Sequence, residues 1–282
     1  MMVKRIALAI AFSPRLEANL AEAARLRALF NARLFLIHVG EHSTADDEVL
    51  KKLFQKYALD ANNTEILWKD GSTVDTILES CREKQIDLLV TGAMEKEGVI
   101  TYLKGSVARQ LGRKAQCSVL MLTEPSVNPH PFKNIVVSSM DQSNKANIIE
   151  MALYVARLDQ ARNVSIVQES DLLKFANLSQ EDKTLEDLDQ VREHFVNEDT
   201  KKLNEILSCT DCGNLHITTH HLEGKPGVGI SNYAREQQAD LLVLGQSEKK
   251  LSILDRVFQH DIEYVLANLP CNLLIVQDNH LN

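Results

Sequence analysis

The chain repeats itself. Asp87-Leu88-Leu89-Val90-Thr91-Gly92 returns as Asp240-Leu241-Leu242-Val243-Leu244-Gly245. Cys117-Ser118-Val119-Leu120-Met121-Leu122 returns as Cys271-Asn272-Leu273-Leu274-Ile275-Val276. Each run is short and almost wholly apolar, the pattern of a strand buried on both faces of a parallel sheet. Two such runs in the same order demand one structural unit used twice. A length of 282 residues accommodates two units of roughly 150 residues, each with its own core.

The rest of the chain fits that unit. Arg5–Ala11 reads as a strand, and Ser13-Pro14 offers an N-cap and a first-turn proline for a helix through Asn31. Leu34–Val39 is a strand, Asp47–Leu59 a helix and Thr64–Trp68 a strand. Ser72-Thr73-Val74-Asp75 opens a helix to about Lys84, in the manner of a capping box. Ile86–Val90, a helix at Ser106–Lys114 and Cys117–Leu122 close the first half. The second half repeats the order: strand Ile135–Ser139, helix Asn144–Leu158, strand Val164–Val167, an acidic helical stretch over Glu181–Ser208, strand Leu215–Thr219, helix Val228–Gln237, strand Leu241–Leu244, helix Ile253–Ala267 and strand Asn272–Val276. Alternating strands and helices imply two tandem open-sheet α/β domains, each a five-stranded parallel sheet flanked by helices. The proline-rich run within residues 125–132 is expected to be a linker between a domain at 1–124 and a second at 133–282.

Three features stand out in this layout: the strand ending Leu36-Ile37-His38-Val39, the turns at Gly71 and Gly224-Lys225-Pro226, and the twice-used Asp-Leu-Leu-Val-x-Gly. On these residues the chain resembles the universal stress protein family in its tandem form. The resemblance implies an adenine nucleotide α-hydrolase-like fold and a stress-response protein that acts by binding. Nucleotide-binding relatives carry Gly-x2-Gly-x9-Gly-Ser/Thr after the fourth strand. Here Gly92-x2-Glu95-x9-Gly105-Ser106 keeps the spacing, followed by Val107. Backbone N–H groups and a helix N-terminus would receive phosphate there. Val39 matches the position that lines adenine, and is equally a core strand valine.

Two departures bear on ATP. Glu95 replaces a glycine with a carboxylate, and like charges about 5 Å apart repel by roughly 3 kcal/mol at an effective dielectric of about 20. Ala11-Phe12-Ser13 ends the first strand without the aspartate of nucleotide-binding relatives. The first domain is therefore expected to hold ATP or AMP in a degenerate site. The second domain has Asp141 near the end of its first strand, yet Phe258-Gln259 or Gln259-His260 where Gly-Ser belongs after Gly245, and is not expected to hold ATP. No catalytic residues are assigned. The alternatives are a weak ATP hydrolase and a purely structural or interaction protein.

By residue type, Cys209, Cys212 and His216 are the metal-ligand candidates. His220 shares a strand face with His216 but lies about 13 Å along it, so no metal is expected. Five cysteines, an odd number, suit a reducing compartment, and Lys4-Arg5 before Ile6–Phe12 recurs at Lys133–Val137, where no signal peptide can act. A cytoplasmic protein is expected. Residues 1–132 carry 17 Lys and Arg against 16 Asp and Glu, a net +1, so the remainder carries −9 and the whole chain −8. Neither nucleic acid nor a membrane is an expected partner. The apolar last strands would be open edges in isolated domains, so the two copies are expected to pair as an intramolecular pseudo-dimer, with a homodimer as a further option.

Overall fold

The computed structural model describes residues 2–93, 106–139, 145–170, 197–198, 200–225, 227–245 and 260–277. The first half comprises β1 (Arg5–Ile10), α1 (Leu16–Phe30), β2 (Arg33–Val39), α2 (Thr44–Lys56), β3 (Thr64–Lys69), α3 (Thr73–Glu83), β4 (Leu88–Gly92), α4 (Val107–Lys114) and β5 (Ser118–Leu122). The second comprises β6 (Asn134–Ser138), α5 (Lys145–Leu158), β7 (Asn163–Ser170), β8 (His216–Glu223), α6 (Val228–Glu236), β9 (Leu241–Gly245), α7 (His260–Ala267) and β10 (Asn272–Val276).

The ten strands among the described residues join in one sheet, in the order β3-β2-β1-β4-β5-β10-β9-β6-β7-β8. Pairing is parallel within each half. Ile6, Ala7 and Leu8 are all fully buried, as a continuous apolar run requires when helices cover both faces. One core layer runs under α1, α2 and α5 and is shared by both halves, and the other lies under α3, α4, α6 and α7. The duplicated Asp-Leu-Leu motif has a backbone task. Asp87 accepts from the N–H groups of Lys4 and Arg5 at 2.8 Å each, and Asp240 accepts likewise from Lys133 and Asn134 at 2.7 and 2.8 Å. Each aspartate thus clamps the start of the neighbouring strand.

The halves meet where β5 and β10 pair antiparallel, Leu120 opposite Leu274. These two leucines are the same position of the repeat, so a pseudo-two-fold axis passes between them. One pair of repeat positions also meets twice across this axis. Arg25 binds Asp159 at 2.7 Å on one side, and Tyr154 packs on Phe30 at 5.6 Å on the other. The last-strand edge is therefore filled within the chain. Among the described residues no helix is long and apolar enough to cross a membrane.

Several boundaries differ from the sequence expectation. Ser13 and Pro14 do not open α1; they lie in a turn, and the helix begins at Leu16 with Arg15 at the cap and no side-chain cap. α2 starts three residues early because Ser43 and Asp46 form a reciprocal capping box. At α3 the Ser72 hydroxyl donates to the Asp75 carboxylate rather than accepting from the helix backbone. β8 runs to Glu223, past the expected Thr219, and carries His220 and His221 with it. Residues 200–209 are helical, whereas 171–196, most of the expected acidic helix, lie outside the described residues.

Candidate functional site

In an open parallel sheet the chain leaves every strand at one edge, which becomes a shallow crevice. In the first half that edge is aromatic. Phe12, just past β1, stacks with Trp68 of β3 at 6.1 Å between ring centres and 10° between planes. His42, past β2, stacks on the same indole at 4.1 Å and 14°. His38 of β2 meets both rings edge-on, at 5.2 Å from Phe12 and 5.4 Å from Trp68. His38 is buried, and its two nitrogens face the carbonyl oxygens of Ile10 and Glu41 at 3.3 and 3.1 Å. That arrangement fixes the ring and leaves no lone pair directed at a substrate. Phe12 and Trp68 are half-buried and His42 is exposed, so flat apolar surface remains in reach of a ligand.

A cation lies at the ends of the next strands of the sheet. Arg15 donates to the carbonyl oxygens of Ala93 and Thr123, at 2.9 and 3.4 Å, where β4 and β5 end. Val39 closes β2, half-buried against the core. Gly92 closes β4, and its missing side chain has a packing reason: a Cβ there would lie 2.9 Å from the Asn19 amide nitrogen of α1. Ser106 caps α4, its hydroxyl accepting from the Arg109 N–H at 3.3 Å, and Val107 is exposed in the first turn. Glu95 and Gly105 lie outside the described residues. Of the expected site, then, Val39, Gly92, Ser106 and Val107 have described places at the C-terminal ends of β2 and β4 and at the start of α4. The aromatic cluster and Arg15 were not expected; the only sequence trace was the single tryptophan at the end of a strand.

The second half differs at the same register. Gln168 stands where the first half has His38, Glu169 where it has Val39 and His221 where it has Trp68. The Gln168 side chain is buried and its amide finds no partner among the described residues. The Glu169 carboxylate turns onto the start of α6, accepting from Ile230 N–H at 2.9 Å and Gly227 N–H at 3.3 Å. Gly229 makes room for it, since a Cβ would lie 2.9 Å from the carboxylate oxygen. Asp141, Phe258 and Gln259 lie outside the described residues.

All five cysteines are free thiols. Cys81 and Cys117 are buried against each other; hydrogen bonding to Cys117 and burial push the Cys81 thiol far up, and burial pushes Cys271 up to about 12. Both stay protonated and unreactive at neutral pH. Cys209 is exposed, Cys212 bonds backbone carbonyls, and His216 opens β8; among the described residues no three His, Cys, Asp or Glu side chains form a metal-binding group.

Comparison with known proteins agrees with this architecture. The universal stress protein family profile matches residues 44–123 and 131–277. A putative universal stress protein from Pseudomonas aeruginosa UCBPP-PA14 superposes with a TM-score of 0.73 at 18% identity, covering 98% of this chain and 93% of that one. A functionally unknown protein from Pseudomonas aeruginosa PAO1 gives 0.71 at 17% over the same shares. A universal stress protein from Archaeoglobus fulgidus DSM 4304 gives 0.65 at 13%, covering 100% of this chain and 98% of that one. With two profile matches spanning most of its length and a fold built twice on one plan, the chain belongs to the universal stress protein family.

Proposed function

We propose that this protein acts by binding a small ligand, an adenine nucleotide or close analogue, at the aromatic edge of its first half. The observation that carries the reading is the Phe12–Trp68–His42 stack beyond the ends of β1 to β3, with the Arg15 cation at the ends of β4 and β5. An aromatic stack suits a purine face, and a cation suits phosphate. Gly105-Ser106 and the start of α4 would receive the phosphate, while Glu95 would oppose it in proportion to its charge. AMP should therefore bind more tightly than ATP.

The second half, divided from the first at the linker 125–132, is proposed not to hold ATP. Its register equivalents of His38, Val39 and Trp68 are Gln168, Glu169 and His221, so the described strand ends carry no indole, and the Glu169 carboxylate occupies the start of α6. Five free thiols suit the proposed cytoplasmic location.

Isothermal calorimetry of AMP and ATP at fixed moderate salt, with ATP turnover assayed in parallel, tests this. Binding without turnover is expected. Glu95→Gly should strengthen ATP more than AMP, and Gly105→Val should abolish both. Retained binding in Gly105→Val would refute the loop assignment, and steady ATP turnover would make the protein an enzyme.

A further inference from the structure

The second repeat contains a cavity that the first repeat fills. In the first, Phe35 is buried under two cations, Arg33 at 5.4 Å and Lys84 at 5.8 Å from its ring, and both cations pair with Glu65 at 3.1 and 2.6 Å. The strand registers carry these positions into the second repeat. Arg33 becomes Asn163, Phe35 becomes Ser165, Glu65 becomes Thr218 and Leu67 becomes His220. Lys84, three residues before the aspartate clamp, becomes Gln237. Bulk and every charge are lost together. In their place is a cavity of about 360 Å³ between β6, β7, β8 and α6.

Loss of packing alone would leave an apolar hollow, but this one has an ordered polar wall. Ser165 and Thr218 hydroxyls lie 3.2 Å apart, and Thr218 is 3.0 Å from His220 Nε2. Asn163 donates to Asn134 at 3.0 Å where the two strands begin. The Tyr233 ring, from α6, packs against His220 at 5.2 Å. Hydroxyls, imidazole and amides supply donors and acceptors on neighbouring residues. None of the described residues lining the cavity is Lys, Arg, Asp or Glu, so none of them would compensate a charged guest. Its volume is at the small end of ligand pockets. Asn134, Asn163 and His216 are the first residues of their strands, so the cavity opens at the end of the sheet opposite the nucleotide edge.

We propose that this cavity is a second binding site, for a neutral, hydroxyl-rich molecule of monosaccharide size, with Ser165, Thr218 and His220 hydrogen-bonding its hydroxyls and Tyr233 supporting its C–H face.

The test is saturation-transfer NMR on the full chain with myo-inositol, D-glucose and D-ribose as separate probes, with and without AMP. At least one probe should give saturable transfer that AMP leaves unchanged. Ser165→Phe restores the residue of the first repeat and should weaken that probe about tenfold or more by filling the cavity, with the melting temperature held or raised. His220→Leu, restoring the counterpart of Leu67, provides the same reading should the phenylalanine disturb folding. Absence of saturable transfer from all three probes, equal binding in both variants, or displacement by AMP would each overturn the proposal.

Discussion

Arg109 and Glu263 occupy the same position of the two repeats, eight residues before Cys117 and Cys271, and bind each other across the seam, Arg109 Nη2 donating to Glu263 Oε2 at 2.7 Å. Arg113 pairs with the same carboxylate. One position thus carries opposite charges in the two copies. A pairing of two like halves through this face would set arginine against arginine or glutamate against glutamate, so the charge pair favours the first half joined to the second.

Charge reversal tests this. Arg109 is nearly buried, so Arg109→Glu should cost about 3 kcal/mol or more, read as a lower urea midpoint. Glu263→Arg should cost at least as much, because it faces two arginines. The double reversal should recover most of the loss. Additive losses would show that the pair does not couple the halves.

The same carboxylate predicts a pH dependence. Burial alone would raise the Glu263 pKa, but hydrogen bonds from Arg113 and Arg109 outweigh it and hold the carboxyl below its ordinary value. A depressed carboxylate contributes stability above its unfolded pKa of about 4.3, and that contribution fades as pH falls through the folded value. Urea midpoints of wild type and Glu263→Gln should therefore differ near neutrality and converge on acidification below about pH 4. A constant difference would contradict this assignment.

Glu22 behaves in the opposite sense. It is 8% exposed, and burial raises its carboxyl pKa despite Arg25 and the Ser126 N–H. A raised acid favours folding in its protonated state, and that contribution is lost as pH rises through the folded value. Glu22→Gln should raise the melting temperature at pH 7 by about 2 °C. A fall would mean that pairing with Arg25 outweighs desolvation.

Gly92 separates packing from ligand binding. Gly92→Ala should cost about 1–2 kcal/mol by pressing on Asn19, and Asn19→Ala in the same chain should relieve most of it. Thermal melts of the two singles and the double give the coupling. Full stability in Gly92→Ala would show that Asn19 yields freely.

The fold was legible because apolar runs buried on both sheet faces, such as Arg5–Ile10 and Leu241–Gly245, need no tertiary context to read. Helix starts were less so. Ser13-Pro14 carries the local signal for a cap, yet the chain turns there, so that the cap passes to Arg15, which reaches the ends of β4 and β5. Val39, Gly92 and Ser106 fall at strand ends or a helix cap as their spacing implied. Phe12, His42 and Trp68 are scattered in sequence and meet only because parallel strands end together. The cavity of the second repeat was hidden for another reason. It emerges from comparing Phe35 with Ser165 at one register, which requires the strand pairing itself.

Trp68 is the single tryptophan of the chain and lies in the aromatic stack, so its fluorescence reports directly on the proposed nucleotide site. Titration of the full chain with AMP should quench Trp68 saturably, with ATP requiring higher concentrations, and Phe12→Ala should weaken the AMP response. Unchanged Trp68 fluorescence while calorimetry records AMP binding would place the nucleotide elsewhere. No response in either measurement would contradict the binding function itself.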